Sequence, residues 1–408
     1  MLTRVAGGFT LGILTFACHG SLPTGSNPFD PFEGIGIIMN TVAAPEQTNV
    51  FAAGANLNDE RVNHRAVALS GSAAGKVLIA GGTNNETADD ITLRTAELYD
   101  ETDATFTATG TMSVRREAFT MTNLPDGRVL IAGGADGGTR YQSAEIYDPS
   151  MGTFTASGGT MTTPREEHQA VLLGDNNRIL LLGGGEGTTI KNTAELYNIT
   201  TDSFTATANP MATARRDAAA ILLNDGTVLI TGGRPDLFVT GLNTAEIYNP
   251  TTDNFTTVSA TMMSGRYGHV MSLMSDGRVL IAGGRSSSSV MAPEIEIYDP
   301  MAGTFSKAAD LAETARGYSL RMTPLSATDA TRFLITGGRT QESFGNSLNS
   351  GVIFDASTSA FSTISNTMTQ NRSEHEAVLL SNGRVLITGG VGGIPTSESA
   401  GSSEIYRP

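Results

Sequence analysis

The chain has little of several residues on which other kinds of protein depend. Of its 408 residues none is Trp, one is Cys, and only 16 % are charged. A single cysteine excludes an intrachain disulfide, so packing and strand pairing must hold the fold. The net charge of −15 argues against a nucleic-acid partner, which needs a basic face, and against adsorption to an anionic membrane surface. We therefore expect an acidic globular protein without either partner.

The N-terminus lacks an apolar run long enough to cross a membrane. Arg4 precedes an apolar stretch from Val5 to Ala17, which has the length of a signal-peptide core. The following Leu14-Thr15-Phe16-Ala17-Cys18 resembles a bacterial lipobox, in which Cys18 becomes a lipidated N-terminus. Residues 1–18 therefore predict an export signal and a lipid-anchored envelope protein. Secretion with Cys18 removed or free, and a buried N-terminal strand, are the alternatives. Residues 19–45, with scattered Pro and Gly, predict a flexible tether.

Glycine, in contrast, is abundant, and paired glycines mark a repeat. The stretch from Asn224 to Gly233 runs from a polar Asp-Gly turn through an apolar strand to a glycine pair. Similar pairs recur roughly 50 residues apart, which is the period of a propeller-blade repeat. The seven pairs are Gly81-Gly82, Gly133-Gly134, Gly183-Gly184, Gly232-Gly233, Gly283-Gly284, Gly337-Gly338 and Gly389-Gly390.

Each repeat carries four strand signals in a fixed order. Strand a follows an Arg, strand b is the apolar run before the glycine pair, strand c is of the Ala-Glu-Ile-Tyr-Asp type, and strand d centres on a Phe. Asp-Gly or Asn-Gly between strands a and b indicates a two-residue hairpin turn. Four short strands joined by turns predict one antiparallel sheet, and the apolar centres of strands b and c indicate burial on both faces. The predicted fold class is therefore all-β, a seven-bladed β-propeller.

This order of motifs resembles the kelch repeat, over about residues 46–408. Kelch repeats usually have Trp in strand d, where this chain has Phe. The resemblance implies seven blades, expected at about residues 61–110, 115–158, 165–208, 215–259, 266–308, 316–364 and 372–408. The last repeat lacks strand d, whereas residues 48–54 contain Phe51 in a strand-d context. We expect residues 48–54 to be the outer strand of blade seven, because this pairing closes the ring and removes its open edges.

An Arg and a Glu recur in the repeats. The arginines before strand a are Arg61, Arg115, Arg165, Arg215, Arg266, Arg316 and Arg372. The glutamates of strand c are Glu97, Glu145, Glu195, Glu246, Glu296 and Glu404, with Val352 in the remaining repeat. They suit a structural Arg–Glu pair that reaches across the paired glycines. A ring of guanidiniums holding an anion is the alternative. Near-identity among the repeats favours the structural pair, because a binding site needs asymmetry.

Four histidines lie three residues after these arginines. They are His64, His168, His269 and His375, and the other repeats have Ala118, Ala218 and Ser319. A metal site built from them is conceivable, but nothing in the pattern singles out one cluster, and we expect no metal and no cofactor. Acidic residues near the same entrance alternate with Arg116 and Arg216 and predict a charge-balanced channel mouth; they are Glu117, Glu166, Glu167, Asp217 and Glu374.

The long connections between strands b and c are the other candidate site, because variable loops on a rigid scaffold commonly bind ligands. The candidate ligand-binding residues of these loops and of the channel mouth are Arg140, Arg234, Phe238, Arg285, Arg339, Phe344, Glu117, Glu167 and Asp217. Phe238 and Phe344 either contact a partner or fold back over blades four and six.

Two classes of function remain from the sequence. Galactose-oxidase-like kelch proteins need a Cys cross-linked to Tyr; because only Cys18 is present, that copper radical chemistry is expected to be excluded. No nucleophile motif or phosphate loop appears. We expect a monomeric, non-enzymatic binding module outside the cytoplasm that presents its b–c loops to a protein or glycan. The alternative is a carbohydrate-active enzyme, similar to sialic-acid mutarotases, with its site at the top of the channel.

Overall fold

Each repeat folds into one antiparallel sheet of four strands, and seven such sheets form the ring. In this computed structural model the described residues are 48–84, 91–237, 240–287, 290–311, 317–340, 347–392 and 400–408. The sheets have the strand order a-b-c-d, with strand a at the channel and strand d outermost. The predicted all-β, seven-bladed propeller is confirmed.

The inner two strands of each blade frame the central channel. Strands a of blades one to seven are Arg65–Ala68, Thr120–Asn123, Gln169–Leu172, Ala219–Leu222, Val270–Leu273, Tyr318–Pro324 and Glu376–Leu379. Strands b are Lys76–Ala80, Val129–Ala132, Arg178–Leu182, Val228–Thr231, Val279–Ala282, Arg332–Arg339 and Val385–Thr388.

The outer two strands complete the sheets. Strands c are Ala96–Asp100, Ala144–Asp148, Ala194–Asn198, Ala245–Asn249, Glu294–Asp299, Gly351–Asp355 and Ser402–Arg407. Strands d of blades one to six are Thr105–Ala108, Thr153–Ala156, Ser203–Ala206, Asn254–Thr257, Thr304–Asp310 and Ala360–Thr363, and that of blade seven is Val50–Asn56. A single 3₁₀ turn is found among the described residues, Gly71–Ala73.

Several b–c connections form small hairpins. Their paired segments are Thr83–Asn84 with Ile91–Thr92, Ala135–Asp136 with Thr139–Arg140, Gly185–Glu186 with Thr189–Ile190, and Arg285–Ser287 with Val290–Met291. The b–c connections and the d–a connections lie on the same face of the ring, because strands a and c run in the same direction. That face is called the top face below.

Apolar packing between neighbouring blades forms the core. Every residue of the four-residue strand Val129–Ala132 is buried, whereas Thr153–Ala156 of the same sheet is mostly exposed. Val129 and Ile131 of blade two pack with Leu78 and Ala80 of blade one in one apolar cluster. Strand b is therefore covered on both faces, which explains its lack of alternation.

The turns between strands a and b differ from expectation in one respect. In Asp126-Gly127 only Gly127 has positive φ, at 89°. The amide of Leu124 donates to the carbonyl of Arg128 at 2.7 Å, and the amide of Gly127 donates back to the carbonyl of Leu124 at 3.0 Å. Three residues therefore lie between Leu124 and Arg128, and the turn is not the two-residue type with two positive φ angles. Glycine is still favoured, because one left-handed position remains.

The ring closes through the N-terminal strand. Val50–Asn56 pairs antiparallel with Ser402–Arg407, and Phe51 lies opposite Tyr406. The rings of Phe51 and Tyr406 are 5.5 Å apart, which matches the 5.0 Å between Tyr99 and Phe106 in blade one. The side chain of Asn366 also binds both backbone groups of Phe51, at 2.7 and 2.8 Å. The predicted closure of blade seven is confirmed, with the strand starting and ending two residues later than expected.

Residues 1–47 lie outside the described residues, and with them the predicted export signal, Cys18 and the tether. Among the described residues no helix has the length and apolar character needed to cross a bilayer.

Replacing Phe51 by Ala tests the closure. Phe51 is 4 % exposed, and truncating a buried Phe typically destabilises by about 3–5 kcal/mol. We expect Phe51→Ala to lower the free energy of unfolding by that amount in guanidinium titrations. Ala53→Ser, at an exposed position of the same strand, should change it by no more than about 0.5 kcal/mol. Equal stability of the Phe51→Ala variant and the unchanged protein would show that closure does not depend on this strand.

Candidate functional site

A buried arginine spans three strands in most blades. In blade three, Nη1 of Arg165 donates to the carbonyls of Gly183 and Thr193, at 2.9 and 2.8 Å. Its Nη2 donates to Oε1 of Glu195 at 3.0 Å, and Oε2 of Glu195 accepts the amide of Thr162 at 2.6 Å. The pair thus connects the start of strand a, the end of strand b, strand c and the segment that enters the blade.

The same arrangement recurs in six blades. The pairs and the N–O distances between their side chains are Arg61–Glu97 at 3.1 Å, Arg116–Glu145 at 3.0 Å, Arg165–Glu195 at 3.0 Å, Arg215–Glu246 at 3.0 Å, Arg266–Glu296 at 2.5 Å and Arg372–Glu404 at 3.2 Å. Each of these guanidiniums has no exposed side-chain surface. They are structural and are not available to hold an anion in the channel.

Two assignments of this repeat require correction. In blade two the pair is made by Arg116, whereas Arg115 is exposed. The carbonyl of Arg116 accepts a hydrogen bond from the amide of Gly82. This bond identifies Arg116 as the equivalent of the repeat arginine in the other blades, which the sequence alone leaves open because Arg115 is adjacent. In blade six the carbonyl of Gly317 takes the equivalent place, and Val352 replaces the glutamate. Arg316 lies outside the described residues.

The four histidines connect neighbouring blades. Each is at most 6 % exposed, and its Nε2 is bonded to a threonine hydroxyl: His64–Thr388 at 2.9 Å, His168–Thr120 at 3.1 Å, His269–Thr231 at 2.7 Å and His375–Thr336 at 2.8 Å. His168 uses strand a of the preceding blade, because strand b of that blade ends in Ala132. Burial lowers the pKa of His64 and of His168 to about 3, so these rings are neutral at physiological pH.

The glycine pairs are explained by the close approach of the next blade. A Cβ on Gly389 would lie 2.4 Å from the carbonyl oxygen of Arg61 and 2.7 Å from Cε1 of His64. The backbone there also has φ of 57°, which L side chains rarely adopt. The missing side chain of Gly389 therefore leaves room for the backbone of Arg61 and the ring of His64 in the next blade of the ring.

A cavity of about 600 Å³ opens at the channel mouth. A ring of residues borders it, one from each blade: Asn63, Ala118, Glu167, Asp217, Gly268, Ser319 and Glu374. All seven have left-handed backbone, with φ between 52° and 62°. Backbone bonds join most neighbouring members, such as the bond from the amide of Glu167 to the carbonyl of Ala118 at 2.9 Å. We call these residues the channel ring.

One side of the cavity carries a chain of alternating charges, made of Arg140, Glu166, Arg216, Glu167, Arg234 and Asp217. Nε of Arg140 lies 2.9 Å from Oε1 of Glu166, which Nη2 of Arg216 also approaches, at 3.3 Å. Nε of Arg216 donates to Oε2 of Glu167. Arg234 lies 2.9 Å from Oδ2 of Asp217 and 3.7 Å from Oε2 of Glu167. We call this chain the first arc.

The opposite side has a second set of ion pairs, from blades six, seven and one. Nη2 of Arg339 lies 2.5 Å from Oε1 of Glu374. Glu376 accepts from Arg321 at 3.0 Å and from Arg65 at 3.2 Å. We call these five residues the second arc. Tyr318 also lines the cavity, and the guanidinium of Arg285 stacks on its ring at 4.6 Å.

Burial and neighbouring charges shift several of these groups. Burial, followed by repulsion from Glu167, raises the pKa of Asp217. Burial also raises the pKa of Glu374 and that of Tyr318. Burial opposes ionisation of Glu376, but Arg321 and Arg65 lower its pKa overall. The cavity thus contains carboxyl groups that differ in proton affinity.

Most of the candidate residues lie where the sequence placed them, at or near the channel mouth. Glu117, Glu167, Asp217 and Arg140 line the cavity; Arg234, Arg285 and Arg339 contact cavity residues. Phe238 and Phe344 lie outside the described residues. Of the basic residues expected at the entrance, Arg216 is there, whereas Arg116 is buried in the blade-two pair.

Four charged or aromatic residues of the cavity were missed. Arg65, Arg321 and Glu376 lie one residue after the histidine position in their blades, and Tyr318 lies two residues before it in blade six. Their deviation from the other repeats at the same positions is a signal that an alignment of the repeats could have shown.

Comparison with known proteins adds a fold likeness and no family. No family model matches the chain, and no curated protein matches it. A solved structure described as a novel fungal alcohol oxidase of the AA5 family, in complex with copper, superposes with a TM-score of 0.68. The match covers 88 % of this chain and 76 % of that one. The oxidase and this chain share a fold. At 17 % sequence identity the likeness shows nothing beyond that.

This similarity corrects one expectation from the sequence. Because the single cysteine, Cys18, lies in the predicted export signal, the sequence predicts that galactose-oxidase-type copper chemistry is excluded, and the lack of a nucleophile motif or phosphate loop favours a protein that is not an enzyme. A copper alcohol oxidase has the same propeller over most of this chain, so neither conclusion stands. A missing residue type does not separate this chain from an enzymatic scaffold.

The described residues nevertheless do not fit a copper ion. Within them no group of three or more His, Cys, Asp and Glu side chains could hold a metal. His168 and His269 border the cavity, but their Nε2 atoms are bonded to threonine hydroxyls. We therefore derive no step through a metal.

Adjacent arginines provide a matched test of the Arg–Glu pair. Removing one member of a buried ion pair typically destabilises by about 3–5 kcal/mol, because the other charge is left uncompensated. We expect Arg116→Ala to lose that much stability in denaturant unfolding, whereas Arg115→Ala should stay within about 0.5 kcal/mol of the unchanged protein. A larger effect of Arg115→Ala would contradict the assignment of Arg116 to the pair.

The buried histidines predict a loss of stability in acid. Between about pH 6.5 and 3 the unfolded chain protonates His64, whereas the folded protein does not, so stability falls as the pH is lowered. One such group contributes up to about 1.4 kcal/mol per pH unit. We expect His64→Gln to make the plot of unfolding free energy against pH shallower over this range by one proton. An unchanged slope would show that His64 is protonated in the folded state.

Proposed function

We propose that the chain is an exported kelch-type propeller that binds a carbohydrate in the cavity at the channel mouth. The observation that carries this proposal is the contrast between a repetitive scaffold and a cavity that does not follow the repeat. The Arg–Glu pair recurs in six blades. The residues directly after the repeat arginine, or after Gly317, are of five types in seven blades: Val62, Glu117, Glu166, Arg216, Tyr267, Tyr318 and Ser373. Side chains that vary on a fixed backbone are suited to recognising an asymmetric ligand.

The chemistry of the cavity favours a ligand rich in hydroxyl groups. Guanidiniums only donate hydrogen bonds, and ionised carboxylates only accept them. Guanidiniums and carboxylates alternate along both arcs. A hydroxyl group both donates and accepts hydrogen bonds, so it can bind at many points along them. A cavity of about 600 Å³ also lies within the usual range for small-ligand sites.

The charge balance favours an uncharged ligand over a multiply charged one. In the first arc three arginines face three carboxylates, and in the second arc three arginines face two. An anion would compete with Glu167 or Glu376 for guanidiniums that are already paired, and a cation would compete with the arginines. Hydroxyl groups can add to such pairs without replacing either charge.

A carbohydrate-active enzyme acting at the same cavity is the second candidate. The specific observation in its favour is the raised pKa of Asp217, caused first by burial and then by Glu167, since perturbed carboxyl groups in cavities often transfer protons. Export, and lipidation of Cys18, are part of the proposal and rest on the N-terminal sequence.

Binding can be tested with a glycan array, followed by calorimetry of the mature protein with a panel of free mono- and disaccharides. We expect at least one saccharide to bind, and Arg216→Gln to weaken that binding by about tenfold or more, because it breaks the first arc. Arg115→Ala, at an exposed position, should bind like the unchanged protein.

The proposal fails if no saccharide binds or if Arg216→Gln binds as tightly as the unchanged protein. Proton NMR of the bound saccharide over time separates the two candidates. Turnover that Asp217→Asn abolishes would favour the enzyme, and binding without turnover would favour the carbohydrate-binding module.

A further inference from the structure

The innermost strand of each blade leaves backbone groups that face the channel. In blade three the amide of Leu173 donates to the carbonyl of Arg178 at 2.9 Å, so alternate residues of strand a, Val171 and Gln169, are the ones bonded to strand b. The backbone groups of the residues between and before them, starting at His168, point away from strand b. They form a sheet edge with unpaired carbonyls and amides, and this edge is part of the channel wall.

Arginine side chains cover such carbonyls on one side of the channel. Nε of Arg65 donates to the carbonyl of Phe119 at 3.0 Å, and its Nη1 donates to the carbonyl of His64 at 3.3 Å. Nη1 of Arg321 donates to the carbonyl of Leu320 at 3.2 Å. The three carbonyls stand at the same position of the repeat in blades two, one and six. Both arginines belong to the second arc, so this side of the channel is charged and these carbonyls are covered.

The equivalent carbonyls of blades three, four and five are not covered. They belong to three residues that line the cavity, His168, Ala218 and His269. Within the ranges that the structure describes, no group donates a hydrogen bond to any of these three carbonyls. Blades one and six have Arg65 and Arg321 at the next position, whereas blades three to five have uncharged residues there. These are Gln169, Ala219 and Val270.

Gln169 adds a side chain that both donates and accepts. It lines the cavity and is half-buried, and its side-chain amide has no hydrogen-bond partner among the described residues. The charged groups of both arcs are, in contrast, paired with one another. We call the three uncovered carbonyls together with the amide of Gln169 the neutral wall.

The neutral wall is a surface on which acceptors outnumber donors, because backbone carbonyls only accept. Water or a ligand group that donates can satisfy such a surface, and a hydroxyl group reproduces the hydrogen bonds of a water molecule that it displaces. An ionised carboxylate only accepts and finds no donor at these carbonyls. Glu167 and Asp217 of the first arc directly precede His168 and Ala218 in the chain, so one ligand can contact the first arc and the neutral wall together.

We propose that the neutral wall orients the saccharide, whose hydroxyl groups donate to the uncovered carbonyls of blades three to five while the amide of Gln169 selects the hydroxyl beside it. This inference rests on the proposed function. It assigns the specificity of the cavity to neutral groups that have no partner in the protein. The ligand class that fits is a saccharide with free hydroxyl groups along one edge and no acidic group on that edge.

Gln169→Leu tests the role of the amide, because leucine has a similar size and makes no hydrogen bond. We expect calorimetry to show that the saccharide of highest affinity in the panel binds about tenfold more weakly, the effect of leaving a polar partner unsatisfied. Stability in denaturant should stay unchanged, since Gln169 has no protein partner to lose. The matched control is Gln142→Leu at an exposed position, which should bind like the unchanged protein. Undiminished binding by Gln169→Leu overturns the inference and leaves the proposed function intact.

Val270→Arg tests the role of the carbonyls, because Val270 stands at the repeat position of Arg65 and Arg321. Each of those arginines reaches the carbonyl of the residue before it, so Val270→Arg should cover the carbonyl of His269 and weaken binding about tenfold or more. Val270→Met, which has a long side chain without a donor, should weaken binding less. Equal affinities of the two variants would show that the carbonyl is not used.

Deoxyfluoro analogues of the same saccharide test the direction of the hydrogen bonds, since fluorine in place of a hydroxyl cannot donate. At least one analogue should bind the unchanged protein about tenfold more weakly than the parent saccharide, and Val270→Arg or Gln169→Leu should reduce that difference. Equal binding of every analogue overturns the inference alone. Failure of every saccharide to bind overturns it together with the proposed function.

Discussion

The structure depends on a buried guanidinium that must be surrounded by acceptors. An arginine that is removed from water needs both a counter-charge and partners for its remaining N–H groups. In blade three Arg165 obtains them from Glu195 and from the carbonyls of Gly183 and Thr193. The glycine at the end of strand b also makes room for the arginine of the next blade, because a Cβ on Gly183 would lie 2.4 Å from the carbonyl oxygen of Arg215. The glycine pair, the Arg and the Glu are therefore one unit, and the sequence repeats them together.

Blade six shows what happens when this unit is absent. Gly317 stands at the position of the arginine, and Val352 stands at the position of the glutamate. Blade six therefore has neither charge of the pair at these two positions. The ladder between strands a and b is extended instead: Tyr318–Pro324 pairs with Arg332–Arg339 over seven and eight residues. Leu320 also packs over Gly283, at the position where four other blades have a histidine. Backbone pairing and apolar contact thus take the place of the ion pair. Neither charged member is present without the other, which agrees with the strong destabilisation caused by a single buried charge.

The sequence alone predicted the features that the repeat specifies. Seven glycine pairs and four strand signals indicated the number of blades, and the missing strand d of the last repeat located its replacement around Phe51. The choice between Arg115 and Arg116 could not be made, because both satisfy the sequence pattern. The backbone bond from Gly82 to the carbonyl of Arg116 and the ion pair of Arg116 with Glu145 distinguish them in the structure. Glu376 was missed for a different reason. Its contacts with Arg321 and Arg65 cross three blades, and a repeat considered one unit at a time contains no information on such contacts.

The channel ring explains how a uniform scaffold can carry a site that is not uniform. Each ring residue has left-handed backbone, which is unfavourable by roughly 1–3 kcal/mol for a residue other than glycine. The conformation is imposed by bonds on both sides: the amide of Gly268 reaches the carbonyl of Asp217, and the amide of Asp217 reaches that of Glu167. Because these backbone bonds fix the conformation, the side chain can differ from blade to blade. Asp217 and Glu167 stand at positions that a glycine, such as Gly268 in blade five, would occupy without backbone strain. The same strain is present at Ala118 and Ser319, so the ring holds any side chain in this conformation, and the charge of the site is decided by which residues stand at the ring positions.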